Sequence, residues 1–158
     1  YWKATVFLVV ADHNSRVYGD TLVPVKRFHI PGLILGGPVQ PGVIAETASQ
    51  IDLGPTLISL LGLQGRHPMI GRDLTQPAVR ALPGRAVMQF DKSQAYMENN
   101  EVVVLRPDLP PTLLRHDPAT GAAQPAGEPP ADLVRKALAQ ALFTPLAYRE
   151  RWHTNAAP

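Results

Sequence analysis

The sequence predicts an α/β protein in which part of a large sheet is followed by a small antiparallel sheet packed on a C-terminal helix. Residues 6–11 are apolar without alternation, which is typical of a strand that is buried on both faces in a parallel sheet. After residue 84 the apolar runs become short and are separated by turn residues, which is typical of antiparallel strands. Residues 131–143 carry apolar side chains at helical spacing, which predicts the covering helix.

The first predicted strand, residues 6–11, ends directly on Asp12 and His13. Open α/β sheets place their ligands beyond the carboxyl ends of parallel strands. A carboxylate and a neutral imidazole are both good ligands for a divalent ion such as Zn²⁺ or Mn²⁺. The pair therefore indicates a metal site. The residues alone leave a second interpretation open, in which Asp12 caps a helix beside a loop histidine.

The rest of the first half is predicted to contain a strand over 30–35, a short extended piece over 43–45 and one helix. Asp52 is the expected N-cap of this helix, Pro55 suits its first turn, and Gly62 suits its end. We expect its apolar face to pack in the core. That face comprises Leu53, Leu57, Leu60 and Leu61.

In the second half, four short strands are predicted before a connector over 118–130 that is rich in proline, alanine and glycine. The strands cover residues 86–90, 94–98, 101–106 and 112–116. We expect a sheet of three or four strands covered by a helix over 131–143, which Pro145 ends or kinks. Its apolar side is expected to pack on the sheet through Leu133, Val134, Leu138 and Leu142. Contact of this helix with a membrane surface stays open as an alternative.

Composition excludes several classes of protein. Hydrophobic residues make up 45% of the 158 residues and the formal net charge is +2, with no dense cluster of Lys and Arg, so nucleic acid is not an expected partner. The absence of cysteine excludes disulfides, thiolate nucleophiles and cysteine-based zinc sites. No apolar run reaches the roughly 18–20 residues of a membrane span.

Three segments carry a resemblance to a known family. The run YWKATVFLVVADH over residues 1–13 closely resembles the last metal-binding strand of the sulfatase branch of the alkaline phosphatase superfamily, and residues 28–35 and 49–63 resemble the strand and helix that follow it. Within that branch, the run is most similar to the group of lipoteichoic acid synthases and phosphoglycerol transferases. The resemblance implies that Asp12 and His13 are two ligands of the catalytic metal.

The resemblance also implies how the chain is divided. Residues 1–83 are expected to form the C-terminal part of an alkaline-phosphatase-like (sulfatase) α/β sandwich, and residues 84–158 a small antiparallel subdomain with the final helix. The family's nucleophile and other metal ligands lie upstream of this strand. We therefore expect the chain to be a C-terminal fragment that is inactive in isolation.

For the full-length enzyme, the resemblance implies transfer of phosphoglycerol or phosphoethanolamine through a covalent phospho-enzyme. The expected cofactor is one divalent metal ion, of which Mn, Zn, Mg and Ca are all possible. A phospholipid head group, a glycan or a sulfate ester is the expected substrate. The expected location is the extracytoplasmic (periplasmic) face of a bacterial inner membrane, reached through an N-terminal region outside this chain.

Arg16 follows the metal pair closely and is a candidate for contact with an anionic substrate, because guanidinium groups suit phosphate and sulfate oxygens. Two other functions stay open. The first is a sulfatase that hydrolyses sulfate esters by related chemistry. The second is a non-catalytic binding or structural module, in which Asp12 and His13 only cap and pack.

Overall fold

The structure, a computed structural model, describes residues 1–14, 21–37 and 39–152. The described residues form two compact units. The first takes them from Tyr1–Val17 and Arg27–Gly84, and the second from Tyr18–Lys26 and Arg85–Pro158. In the parts of the chain that the structure describes, no helix combines the length and the apolar composition needed to cross a membrane.

In the first unit, two strands form an antiparallel pair, and two helices follow them in the chain. These elements are β1 (Val6–Val10), β2 (Gly32–Gly36), α1 (Leu53–Leu60) and α2 (Pro77–Arg80). Val6 lies opposite Gly36, and Val10 lies opposite Gly32. The expected burial of the first strand on both faces is not found, since Val9 is 59% exposed. Within the described residues, this sheet has two strands.

The helix α1 forms where it was predicted, with Asp52 at its N-cap position. A 3₁₀ turn over Gln50–Asp52 precedes it, and Ser49 is the N-cap of that turn. The carboxylate of Asp52 accepts the backbone N–H of Ser49 at 2.8 Å, which is the return half of a capping box. Asp52 is therefore the predicted N-cap of α1, but its buried carboxylate accepts N–H groups from outside this helix rather than one within it.

The C-terminal end of α1 confirms one prediction and corrects another. Gly62 has a φ of +65°, the left-handed conformation that suits a residue just past the end of a helix. Leu61, however, is 45% exposed, so its expected burial is wrong. Residues 43–45, predicted as a short strand or extended piece, form no strand, and Val43 is 87% exposed. Leu61 and Val43 therefore both lie at the surface of the described chain.

In the second unit, five strands form one antiparallel sheet in the order β3-β4-β5-β6-β7, and a long helix follows. The strands are β3 (Arg85–Phe90), β4 (Ser93–Glu98), β5 (Glu101–Leu105), β6 (Thr112–His116) and β7 (Ala123–Pro125), and the helix is α3 (Ala131–Arg149). The predicted fold class, α/β with an antiparallel sheet and a C-terminal helix, is confirmed. Asn99 and Asn100, which separate the strands predicted over 94–98 and 101–106, form the turn between β4 and β5, and both have positive φ, as tight hairpins require.

The sheet has one strand more than expected. β7 lies in the segment 118–130 that was predicted to be irregular, and it pairs with β6, placing Pro125 opposite Leu114. This three-residue strand has no alternating apolar pattern that would indicate it in the sequence. β7 forms because its backbone pairs with the edge of β6.

The core of the second unit lies between α3 and strands β4 and β5. Its buried side chains are Tyr96, Val103, Leu113, Leu133 and Ala137. Leu138 and Leu142 are 42% and 50% exposed, so the prediction that they pack on the sheet is wrong. Apolar residues occur on several sides of α3, and the face with Leu133 and Ala137, which are 4% and 2% exposed, is the one buried in the core. Pro145 does not end the helix, which continues to Arg149.

Candidate metal centre

The Asp12–His13 pair directly follows β1, as the sequence predicts. Their side chains are 87% and 67% exposed, and Oδ2 of Asp12 lies 3.4 Å from Nε2 of His13. Side chains of neighbouring residues point apart along a regular strand. The end of β1 at Val10 therefore allows these two to converge on one point in accessible space.

Hydrogen bonds orient both side chains of the pair. Oδ1 of Asp12 accepts the backbone N–H of His13 at 2.8 Å. The ring Nδ1 of His13 donates to the carbonyl oxygen of Asn14 at 2.5 Å. Such a bond from one ring nitrogen to a backbone carbonyl fixes the tautomer and leaves the other nitrogen, Nε2, with its lone pair. The second oxygen of Asp12 and Nε2 of His13 are therefore both available as ligands.

The spacing of these two atoms fits a shared cation. A protonated imidazole would form an ion pair with the carboxylate at this distance, whereas a neutral imidazole nitrogen and a carboxylate oxygen are both acceptors and suit a shared cation. Two donors bound at the usual zinc distances in a tetrahedral site are about 3.3–3.4 Å apart. The observed separation of 3.4 Å matches this value. Asp12 and His13 thus suit a divalent metal ion in both donor type and spacing.

The pair is a partial ligand set. Protein zinc sites have three or four protein ligands. In the described ranges, which omit residues 15–20, 38 and 153–158, no group of three or more His, Cys, Asp or Glu side chains could hold a metal ion. The predicted substrate contact, Arg16, lies outside the described residues.

The loop that carries the pair is linked to the start of the α1 region through Gln50. Its side-chain Nε2 donates to the carbonyl oxygen of Ala11 at 3.1 Å and to that of Asp12 at 3.3 Å. Gln50 begins the 3₁₀ turn that precedes α1. No local sequence pattern indicates these contacts, because 39 and 38 residues separate the partners.

No protein-family model matches the chain. The chain is similar to a solved structure from Vibrio parahaemolyticus, described as a protein in the alkaline phosphatase superfamily, with 42% sequence identity and a TM-score of 0.87. The match covers 97% of this chain and 37% of that chain. This comparison supports the alkaline phosphatase superfamily.

Members of the alkaline phosphatase superfamily are enzymes, and they typically use divalent metal ions. The chain spans a little over one third of the related superfamily protein, 37% of its length. The donor types of Asp12 and His13 are those that a divalent ion in such an enzyme requires.

Proposed function

We propose that this chain contributes Asp12 and His13 as two metal ligands to a metal-dependent enzyme of the sulfatase branch of the alkaline phosphatase superfamily. In this proposal the enzyme is most like the lipoteichoic acid synthase and phosphoglycerol transferase group. It transfers phosphoglycerol or phosphoethanolamine. The observation that carries the proposal is the pair of converging donor atoms, 3.4 Å apart, directly after β1. The 42% identity to a superfamily protein supports it.

When bound, the metal ion supplies positive charge that activates a hydroxyl nucleophile and offsets the negative charge that develops on the ester oxygens. The chain's own residues prepare this site. Asp12 uses Oδ1 to accept the N–H of His13, which directs Oδ2 outward. His13 keeps its ring proton on Nδ1, where the carbonyl of Asn14 accepts it, and so presents Nε2 as a ligand.

The remaining parts of the proposal concern the intact protein. The nucleophile and further ligands come from its other regions, because two protein ligands are too few for a catalytic site. Residues 1–83 belong to its catalytic core, and residues 84–158 form a subdomain. Its substrate is a phospholipid head group or a glycan at the extracytoplasmic face of a bacterial inner membrane, and Arg16 contacts the anionic group.

The test is His13→Ala in the intact protein, with His67→Ala as the matched control, because His67 is an exposed histidine of the same unit. We expect His13→Ala to lose bound metal, measured by elemental analysis, and to lower turnover by more than the roughly 10–100-fold that loss of an outer hydrogen-bond partner costs. The control should retain both. Removing metal with a chelator should abolish the wild-type activity in the same way.

The same assay separates the alternatives. Turnover should be measured on a phosphoglycerol-bearing lipid and on an aryl sulfate. Cleavage of the sulfate alone would identify a sulfatase and contradict the transferase. Wild-type metal content and rate in His13→Ala would contradict the metal centre and favour a non-catalytic module. We expect the isolated 158-residue chain to show no turnover, because the residues that the structure describes contain no group of three or more ligands, and zinc sites have three or four.

A further inference from the structure

We propose that Gln50 is a positioning residue that holds the metal-binding loop in the geometry needed for coordination. This inference rests on the proposed function, because it assigns a role toward the metal that Asp12 and His13 would bind. Gln50 does not contact the metal in this proposal. It acts through the backbone of the residue that does.

The side-chain amide of Gln50 makes two hydrogen bonds to the backbone of the loop. Its Nε2 carries two hydrogens, and it lies 3.1 Å from the carbonyl oxygen of Ala11 and 3.3 Å from that of Asp12. These carbonyls belong to the two peptide groups that flank the Cα atom of Asp12. A single side chain thus restrains the backbone on both sides of a metal ligand.

Gln50 is itself held by a buried network. The carboxylate of Asp52, which is 1% exposed, accepts the backbone N–H of Ser49 at 2.8 Å and that of Arg72 at 2.7 Å. The hydroxyl of Thr56 donates to the carbonyl of Asp52 at 2.6 Å. Gln50 lies within this turn, between Ser49 and Asp52. The turn is therefore a fixed base from which its side chain reaches the loop.

Gln50 acts on the loop through its backbone, because both hydrogen bonds end on carbonyl oxygens, and the side chains of Asp12 and His13 project from this backbone. Their directions depend on the backbone at the end of β1, and the Gln50 amide holds that backbone. Loss of an outer hydrogen-bond partner typically weakens metal affinity by about 10–100-fold. We expect an effect of this size when Gln50 loses its donors.

The experiment compares Gln50→Ala and Gln50→Glu in the intact protein, with Gln64→Ala as a matched control, since Gln64 is an exposed glutamine of the same unit. Dissociation constants for Mn²⁺ and Zn²⁺ are measured by competition with a chelator. Glutamate has the same shape as glutamine but no amide hydrogens, and its negative charge near a cation would tighten binding if charge alone mattered. We expect both Gln50 variants to bind each metal about 10–100-fold more weakly, and the control to bind normally.

A second readout separates positioning from general damage to the fold. Melting temperatures measured in chelator should agree between Gln50→Ala and the wild type within about 2 °C, because one exposed hydrogen-bonding group contributes little to stability. Excess metal should restore the turnover of Gln50→Ala, which it would not do if the fold were damaged. Turnover that stays low at saturating metal would overturn the positioning role.

The outcomes also separate this inference from the function on which it rests. If both Gln50 variants bind metal like the wild type while His13→Ala does not, the positioning role is wrong and the metal centre stands. If Gln50→Glu binds metal more tightly, charge rather than hydrogen-bond donation governs the loop, and the positioning role is again wrong. If His13→Ala binds metal normally, the proposed function fails, and this inference fails with it.

Discussion

The side chain of Leu133 should be a main source of stability in the second unit. It is 4% exposed and lies in the core with Tyr96, Val103 and Ala137. Leu133→Ala removes about three buried carbon atoms, each worth roughly 0.8 kcal/mol of transfer free energy. The cavity left behind adds to this, so we expect the free energy of unfolding to fall by about 3–4 kcal/mol.

The matched control is Leu138→Ala, five residues further along the same helix. Leu138 is 42% exposed, so the same truncation removes less buried surface and should cost less than about 1 kcal/mol. Both variants delete the same atoms from α3 and replace leucine by the same good helix former. Helix propensity therefore cancels, and the difference between them reports burial alone.

The assay is urea denaturation followed by tryptophan fluorescence in a Trp2→Phe background. Trp152 then reports on the second unit, where its ring lies 5.9 Å from that of Phe143. The midpoint should fall far more for Leu133→Ala than for Leu138→Ala, with similar slopes. Equal losses from the two variants would mean that the buried face of α3 has been assigned wrongly. A loss below 1 kcal/mol for Leu133→Ala would contradict its place in the core.

Two further predictions concern the first unit. Asp52→Ala removes the buried carboxylate that accepts the N–H groups of Ser49 and Arg72. We expect it to lower the free energy of unfolding by about 2–4 kcal/mol, measured by denaturation followed by Trp2 fluorescence. A change under 0.5 kcal/mol would contradict this role of the carboxylate. Burial acts to raise the pKa of Asp73, but hydrogen bonds, foremost from Thr75, outweigh it and hold the pKa below the usual 3.8. The ionised carboxylate therefore stabilises the folded state above pH 3.8, and this contribution is lost as the pH falls through the lower folded pKa. The unfolding free energies of the wild type and Asp73→Asn should converge over that range, and a constant difference down to the lowest pH would contradict it.

Local chemistry explains what was predictable from the sequence. The hairpin at Asn99 and Asn100 follows from the tolerance of asparagine for positive φ, and the end of α1 at Gly62 follows from the same freedom in glycine. The adjacency of Asp12 and His13 at the end of a strand is also local, since it needs only the end of the apolar run. Each of these features is determined by neighbouring residues.

The sequence by itself therefore determined the short strands, the turns and the pair of candidate ligands, while the tertiary structure decided which surfaces meet. Apolar residues occur on several sides of α3, and packing on the sheet decides that Leu133 and Ala137 are buried while Leu138 and Leu142 are exposed. The strand β7 depends on backbone bonds to the edge of β6, which carry no side-chain pattern. The hydrogen bond from Gln50 to the carbonyl oxygen of Asp12 joins residues that are 38 positions apart. These features arise from long-range packing and hydrogen bonding, whose partners are brought together only when the chain folds.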